Sequence, residues 1–147
     1  MKNHKAFTLV ELLVVIGIVG ILLAITLVAI NPSRQFAQAN NRKRQSDVTT
    51  ILNAITQYGV DRKGEYPSII SSTPQFLANT GADLCSLLVP DYVAALPTDP
   101  QLGGGVTISN CTASYNTYYQ VQLEAGGRIT VIAPGTELGE ALITATR

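Results

Sequence analysis

The sequence has few of the residues that catalyse reactions. It contains one histidine, His4, no tryptophan and two cysteines. Imidazole is the commonest general base at neutral pH. Because His4 lies within the first six residues, a chain processed after Ala6 has no imidazole for Ser-His or Cys-His catalysis. The triple glycine Gly103–Gly105 has no Lys-Ser or Lys-Thr after it and is typical of a turn rather than a phosphate-binding loop. The sequence therefore does not predict an enzyme.

Charge is also scarce, at 14% of the residues with a net charge of zero. In residues 7–30 the only charged side chain is that of Glu11. A helix needs about 20 apolar residues to cross the hydrocarbon of a bilayer, and this stretch is long enough. No second stretch of this kind follows, so the sequence predicts one membrane helix and one modest domain beyond it.

An acidic side chain within an apolar span costs a few kcal/mol, so Glu11 needs an explanation. One explanation is a partner or a protein interior that the carboxylate faces. The other is that Glu11 lies near one end of the span and reaches the headgroups. The residue by itself leaves both open.

The six residues before the apolar stretch, MKNHKA, carry Lys2 and Lys5 and end in the small residue Ala6. In a secretory signal peptide the small-residue cleavage site follows the apolar run, whereas here it precedes it. Processing between Ala6 and Phe7 would therefore leave the membrane helix on the mature chain. It would also give Phe7 a free amine, one helical turn from Glu11 and within range of the same carboxylate in a neighbouring subunit.

Residues 6–18, A-F-T-L-V-E-L-L-V-V-I-G-I, resemble the N-terminus of type IV prepilins and of the pseudopilins of type II secretion. The resemblance implies that prepilin peptidase cuts after Ala6, that Phe7 is then N-methylated, and that Glu11 is the carboxylate that supports filament assembly. The family usually has glycine where this chain has Ala6. The segments DRKGEYP and LPTDP, at 61–67 and 96–100, add to the resemblance to major pseudopilins.

This resemblance implies a structural subunit of a type IV pilus or a pseudopilus filament. Its partners would be further pilin-like subunits, prepilin peptidase, an inner-membrane assembly platform and membrane lipid. The predicted domains are a leader at 1–6, a transmembrane and assembly helix at 7–30, and an extracytoplasmic pilin-like domain at 31–147. A cytoplasmic leader agrees with Lys2 and Lys5, although the bases after residue 30 count against this orientation. The resemblance implies the topology of the family, in which the leader is cytoplasmic and the rest of the chain after residue 30 is translocated.

Small residues recur along the predicted membrane helix. Gly17, Gly20 and Ala24 share one face and would let other membrane helices approach closely. The alternative is that glycine is simply common in membrane helices. Asn31 and Pro32 then predict a kink, since proline lacks an amide donor and disfavours helical dihedrals before it.

Beyond the kink the sequence predicts an α+β fold, in which the second half of the long helix packs on a small antiparallel sheet. The helix is amphipathic through Val48, Ile51, Leu52, Ile55 and Tyr58. It is predicted to end at a glycine, Gly59 or Gly64. Further predicted elements are a helix starting at Thr73 with Pro74 as its first residue, a short helix ended by Pro90, strands at 106–110, 117–123 and 128–133, and a hairpin turn at 124–127. For residues 139–147 helix and coil both remain possible.

Cys85 and Cys111 can form a disulfide if the domain lies in an oxidising compartment, and two buried free thiols are the alternative. Several major pseudopilins bind calcium in a loop after a motif like LPTDP. Asp91 and Asp99 are too few for a calcium ion, which takes six to eight oxygen ligands. The sequence therefore predicts no cofactor, with calcium as the lesser alternative.

Charge is unevenly distributed along the chain. Residues 33–63 hold six basic and two acidic residues, and residues 64–147 hold two basic and seven acidic ones. A basic stem and an acidic head could attract each other between staggered subunits. A rival hypothesis is that the stem bases bind DNA phosphates in a competence or adhesive pilin. No aromatic residues are interleaved with these bases to stack on nucleotides, so nucleic acid is not the predicted partner. The bases in question are Arg34, Arg42, Lys43 and Arg44.

Overall fold

The computed structural model describes residues 7–147, so the predicted leader and Ala6 lie outside the described residues. The chain divides into two compact units, the first ending at Phe36 and the second comprising Ala37–Arg147. The first unit contains helix α1, Leu9–Ile30, which begins at the N-cap residue Thr8. None of the residues of α1 is buried.

Helix α1 is long and apolar enough to cross a membrane. It ends at Asn31, whose φ of 47° is in the left-handed region, and helix α2 begins directly afterwards, at Pro32. The predicted interruption at Asn31 and Pro32 is confirmed. It has the expected cause, because a residue before proline avoids the helical region.

Helix α2, Pro32–Asp61, buries one face in the second unit. The buried positions recur at spacings of four and three, which is the period of a helix with one covered side. After Asp61 the chain turns, and the N–H of Gly64 donates to the carbonyl of Gly59 at 2.8 Å. Gly64 has a φ of 93°, which explains why glycine stands there. The buried positions at these spacings are Ala37, Asn41, Arg44, Val48, Ile51, Ile55 and Tyr58.

Four antiparallel strands form one sheet in the order β1-β2-β3-β4. The hairpin between β2 and β3 is the predicted one: the N–H of Glu124 donates to the carbonyl of Arg128 at 2.7 Å, and Gly126 and Gly127 have positive φ angles. The strands are β1, Gln75–Ala78; β2, Asn116–Leu123; β3, Ile129–Ala133; and β4, Ile143–Thr146.

The core of the second unit joins α2 to the sheet. On β2 alternate residues are buried, among them Tyr119 and Val121, whereas β3 is buried along its whole length. All five apolar residues predicted for the inner face of α2 belong to this core. The α+β prediction, with the helix packed on a small antiparallel sheet, is confirmed.

Two predicted elements are wrong. The segment after Thr73 and Pro74 is the edge strand β1, because pairing with β2 outweighs the local helix-start signal. Residues 106–110 do not form a strand and contribute one bridge, between Ile108 and Leu96. Pro97 follows Leu96 and has no amide donor, so the ladder cannot extend in that direction.

The last stretch, which the sequence leaves undecided between helix and coil, contains strand β4. The short helix predicted before Pro90 is present as α3, Cys85–Leu88. Cys85 forms a disulfide with Cys111, and their Cα atoms are 5.4 Å apart. The disulfide closes a segment that includes the LPTDP motif.

Candidate functional site

The first candidate site is the beginning of α1. The carboxylate of Glu11 accepts hydrogen bonds from the backbone N–H and the hydroxyl of Thr8, both at 2.9 Å. The hydroxyl of Thr8 in turn accepts from the N–H of Glu11 at 3.2 Å. This reciprocal arrangement is a capping box, and it supplies two donors to the only charged side chain of the helix.

The remaining surface of α1 has no partner within the first unit. Its large apolar side chains are exposed by 47% at Val19 to 84% at Val28. Apart from their chain neighbours and the backbone of the helix itself, no atom lies within 4 Å of the position that a Cβ would occupy on Gly17 or Gly20. The face that carries these glycines and Ala24 is therefore open to a neighbouring helix or to lipid.

The second candidate site is a group of polar residues at the buried face of α2, called here the Arg44 cluster. It consists of Asn41 and Arg44 on the helix, the buried Asp99 and the partly buried Glu137. The side chains of Arg44 and Asp99 are completely buried. Arg44 donates from Nε to Asp99 Oδ2 at 2.7 Å and from Nη1 to Glu137 Oε2, also at 2.7 Å. One cation thus holds two carboxylates that lie far from it in the sequence.

The charges of the cluster are mutually stabilised. Burial alone would raise the pKa of Asp99, but the hydrogen bond from Arg44 and the amides of Leu102 and Gln101 hold it below its ordinary value. The hydrogen bond from Arg44 likewise lowers the pKa of Glu137. Burial would lower the pKa of Arg44, but its two acidic partners raise it. All three groups are therefore charged at neutral pH.

Asn41 attaches the segment before β4 to the helix. Its side-chain oxygen accepts from the N–H of Glu137 at 3.1 Å, and its amide nitrogen donates to the carbonyl of the same residue at 3.0 Å. The amide also donates to Glu140 at 2.9 Å. Asn41 therefore pairs with the backbone of Glu137 in both directions, as a neighbouring strand would.

The LPTDP motif supplies Asp99, and the glycines after it wrap around this residue. The carboxylate of Asp99 accepts from the N–H groups of Gln101 and Leu102 at 2.9 and 2.8 Å. Its carbonyl accepts from Gly103 and Gly105. A Cβ on Gly103 would lie 2.7 Å from that of Thr98, so the tight turn requires glycine there. The predicted turn at the triple glycine is confirmed.

Two of the four bases considered for DNA are already engaged. Arg44 is buried against its two carboxylates, and Lys43 forms an ion pair with Asp47 at 3.1 Å. Among residues 7–147, Arg34 and Arg42 have no acidic partner within salt-bridge distance. Two separate arginines are a weak electrostatic footprint for nucleic acid, which usually requires several phosphate contacts.

Asp91 and Asp99, the acids considered for calcium, do not form a metal site together. The carboxylate of Asp99 is occupied by Arg44 and by backbone amides. Within the described part of the chain there is no group of three or more acidic, histidine or cysteine residues that could hold a metal ion.

The Arg44 cluster was not predicted from the sequence, in which Arg44 counts as part of a solvated basic run. A signal for it exists nonetheless. Asn41 and Arg44 precede Val48 and Ile51 at spacings of seven residues, which places all four on the buried face of α2. A charged residue on a buried face requires an acidic partner elsewhere in the fold.

Comparison with known proteins gives two findings. Residues 1–27 match the family described as the prokaryotic N-terminal methylation motif. The chain is also 26% identical over 102 residues to the type II secretion system core protein G of Klebsiella pneumoniae, an alignment that covers 68% of this chain and 71% of that protein. No solved structure matches the chain significantly.

The matched motif covers the start of α1, where Thr8 and Glu11 form the capping box. The alignment to the relative is long enough to reach well into the second unit, whose helix and sheet agree with the α+β fold expected of a pilin. The N-terminal motif and the similarity to a core protein of type II secretion therefore support a relationship to the pilin-like proteins.

Proposed function

We propose that the protein is processed by prepilin peptidase and polymerises through α1 into a pilus or pseudopilus filament. The observation that supports this most is that α1 buries none of its residues within its own chain. Fully exposing such a helix to water would be costly, at about 25 cal/mol per Å² of apolar surface. Lipid covers it before assembly, and neighbouring copies cover it in the filament.

Processing takes place between Ala6 and Phe7, and Phe7 is then N-methylated. The match to the N-terminal methylation motif supports this proposal, because it includes both residues. The new amine at Phe7 would lie near the carboxylate of Glu11. In the isolated chain this carboxylate is bound by Thr8, and in the filament it meets the amine of a neighbouring copy.

Glu11 is the assembly residue in this proposal. An unpaired carboxylate between packed helices would cost several kcal/mol, whereas one that faces an amine is compensated. Copies that are wrongly staggered along the filament would leave the charge unpaired. Glu11 therefore selects the correct stagger.

Three domains follow from this proposal: a leader at 1–6, a transmembrane and assembly helix at 7–30, and an extracytoplasmic domain at 31–147. The leader faces the cytoplasm, and the chain is anchored in the inner membrane until it enters a filament. The similarity to a core protein of type II secretion supports the secretion pseudopilus as the destination. The peptidase and an inner-membrane assembly platform are the proposed transient partners.

Mass spectrometry of the protein from the membranes of its own cells tests the processing step. We expect a mature mass that begins at methylated Phe7. A chain that keeps Met1 would contradict the proposal.

The assembly step is tested by Glu11→Ala, with Asp61→Ala as the control that removes an exposed carboxylate from the second unit. We expect both variants to enter the membrane and only Asp61→Ala to form filaments that can be sheared from cells or purified. Normal filaments from Glu11→Ala would refute the assigned role. Electron microscopy of intact cells then distinguishes long surface pili from a short periplasmic pseudopilus.

A further inference from the structure

Beside the buried face of α2 lies a groove of about 340 Å³, called here the Arg42 groove. Gln38, Arg42 and Gln45 line it from the helix, at spacings of four and three residues. On the other side it is lined by Glu140 and the half-buried side chain of Ile143. The groove belongs wholly to the second unit.

The helix side of the groove has hydrogen-bond donors that the fold does not use. Among the described residues, the side chains of Gln38, Arg42 and Gln45 form no hydrogen bond, and Arg42 forms no ion pair. The one acid in the groove, Glu140, accepts a hydrogen bond from Asn41 at 2.9 Å. The groove thus offers a free cation, two free amides and an apolar wall, which suits a carboxylate on an aliphatic stem.

The second unit also carries carboxylates without a cation to pair with. Asp99 and Glu137 are neutralised by Arg44, and Asp83 accepts a hydrogen bond from the hydroxyl of Tyr115 at 2.6 Å. Glu140 lies in the groove itself. The acids of residues 64–147 that remain are Glu65, Asp91 and Glu124. Glu124 accepts a hydrogen bond from the side-chain amide of Gln122, and none of the three has a cationic partner among the described residues.

We propose that the Arg42 groove binds one of these three carboxylates on a second copy of the chain, as a contact between neighbouring subunits. This inference rests on the proposed assembly into filaments, and it assigns a specific contact to that assembly. A basic groove and an acidic surface on the same chain are complementary only between copies, because neither finds its partner within one copy. Opposite charges at such a contact fix the relative position of the subunits.

A lipid surface is a poorer partner for this groove. Anionic lipid attracts clusters of four to eight lysines and arginines, whereas the groove has one free cation and a carboxylate beside it. Nucleic acid is disfavoured for the same reason, since its binding depends on many phosphate contacts. Both are nevertheless tested as competing outcomes.

The test compares the filament yield of the full-length chain with that of Arg42→Glu. We expect the yield to fall at least about threefold at low salt and to recover as added NaCl screens the new repulsion. Arg42→Gln removes the charge without reversing it, so its loss should be smaller. Lys63→Glu is the matched control, because Lys63 is an exposed base in the turn after α2 and does not line the groove.

The partner is identified by charge exchange. Glu65→Lys, Asp91→Lys and Glu124→Lys are each combined with Arg42→Glu, and one of the three combinations should restore the yield. Thermal unfolding of each variant in detergent checks that the fold is intact, and the comparison is made only between variants whose unfolding temperatures agree.

Three results would overturn the inference: normal filaments from Arg42→Glu at every salt concentration, an equal loss in Lys63→Glu, or no rescue by any exchange. Weaker binding of Arg42→Glu to anionic vesicles or to duplex DNA, with filaments unaffected, would assign the groove to those partners instead. If Glu11→Ala still forms filaments, the role assigned to Glu11 fails, and if the wild-type chain forms no filaments, the proposed function fails. If Glu11→Ala forms none and Arg42→Glu is normal, only this inference fails.

Discussion

Arg44 and Asp99 lie 55 residues apart in the sequence and form a completely buried, two-pronged ion pair. Nε of Arg44 donates to one carboxylate oxygen at 2.7 Å, and Nη2 donates to the other at 3.2 Å. This geometry matches the planar guanidinium to the planar carboxylate. It fastens the LPTDP loop directly to α2.

Arg44→Ala is expected to destabilise the second unit by about 3 to 5 kcal/mol, because it leaves Asp99 charged and buried without a cation. The free energy of unfolding, measured with urea in detergent, gives this value. Arg42→Ala removes an exposed arginine two residues away and should change the free energy by less than about 0.5 kcal/mol. Equal effects of the two substitutions would mean that the ion pair contributes nothing to stability.

The protein is expected to lose stability in acid. The folded pKa values of Glu137 and Asp99 lie below their ordinary values of 4.5 and 3.8, so the unfolded chain binds protons first as the pH falls. The stabilisation is complete above about pH 4.5 and is lost below it, as the pH falls through the folded values. Urea titrations from pH 7 to pH 3 measure this decline.

Glu137→Gln is the control for the acid dependence, because it removes one of the two carboxylates that titrate. Its free energy of unfolding should decline less steeply below pH 4.5 than that of the wild type. An identical slope would exclude Glu137 as a contributor.

An alkaline limit follows from Tyr119. Burial, together with the hydrogen bond that its hydroxyl donates to Asp47 at 2.8 Å, raises the pKa of this tyrosine above its ordinary value of 10. The unfolded chain therefore loses the proton first as the pH rises, and stability should fall above about pH 10. Tyr119→Phe should lessen this alkaline decline and cost about 1.5 to 3 kcal/mol at pH 7, as expected for a hydrogen bond to a charged group. The absorbance of tyrosinate follows the loss of the proton, and urea unfolding measures the change in the free energy of unfolding.

Reduction of the disulfide between Cys85 and Cys111 is expected to lower the free energy of unfolding by about 3 to 4 kcal/mol, since the closed segment spans 26 residues. Denaturation with and without dithiothreitol measures the difference. The double variant Cys85→Ser and Cys111→Ser should be insensitive to the reductant. A wild-type protein that is equally insensitive would contradict the expected contribution.

The glycines of α1 are expected to matter in the filament and not in the single chain. Gly17→Ala adds a methyl group that meets no atom within 4 Å apart from its chain neighbours and its own helix backbone, so the isolated chain should insert and fold as before. In the filament the same methyl group would separate helices that approach through small residues. Filament yield measures the effect, and Ala29→Val, which enlarges an exposed position off this face, is the control. An unchanged filament yield from Gly17→Ala would mean that the glycines do not mediate helix packing and are present only because glycine is common in membrane helices.

The elements that the sequence predicts correctly carry their signals locally. The length of the apolar stretch gives α1, the three-and-four spacing from Val48 to Tyr58 gives the inner face of α2, and alternation with a glycine turn gives β2 and β3. Each of these signals lies within a single segment of the chain. Pairing with distant segments is not needed to recognise it.

The missed parts depend on pairing at a distance. β1 and β4 have four residues each and are stabilised as strands by the neighbours with which they pair. Arg44 belongs to a basic run that is typical of a solvated surface, and only its position on the buried face distinguishes it from Arg42. Its partner Glu137 is 93 residues away, and no local pattern links the two.

The same separation sets an order of events during biogenesis. Arg44 leaves the ribosome well before Asp99, and Glu137 is the last of the three to emerge. Until Asp99 and Glu137 are available, the guanidinium of Arg44 stays hydrated. The buried face of α2 therefore cannot pack completely while the chain is still being synthesised. The second unit can therefore complete its core only when synthesis of the polypeptide is nearly finished.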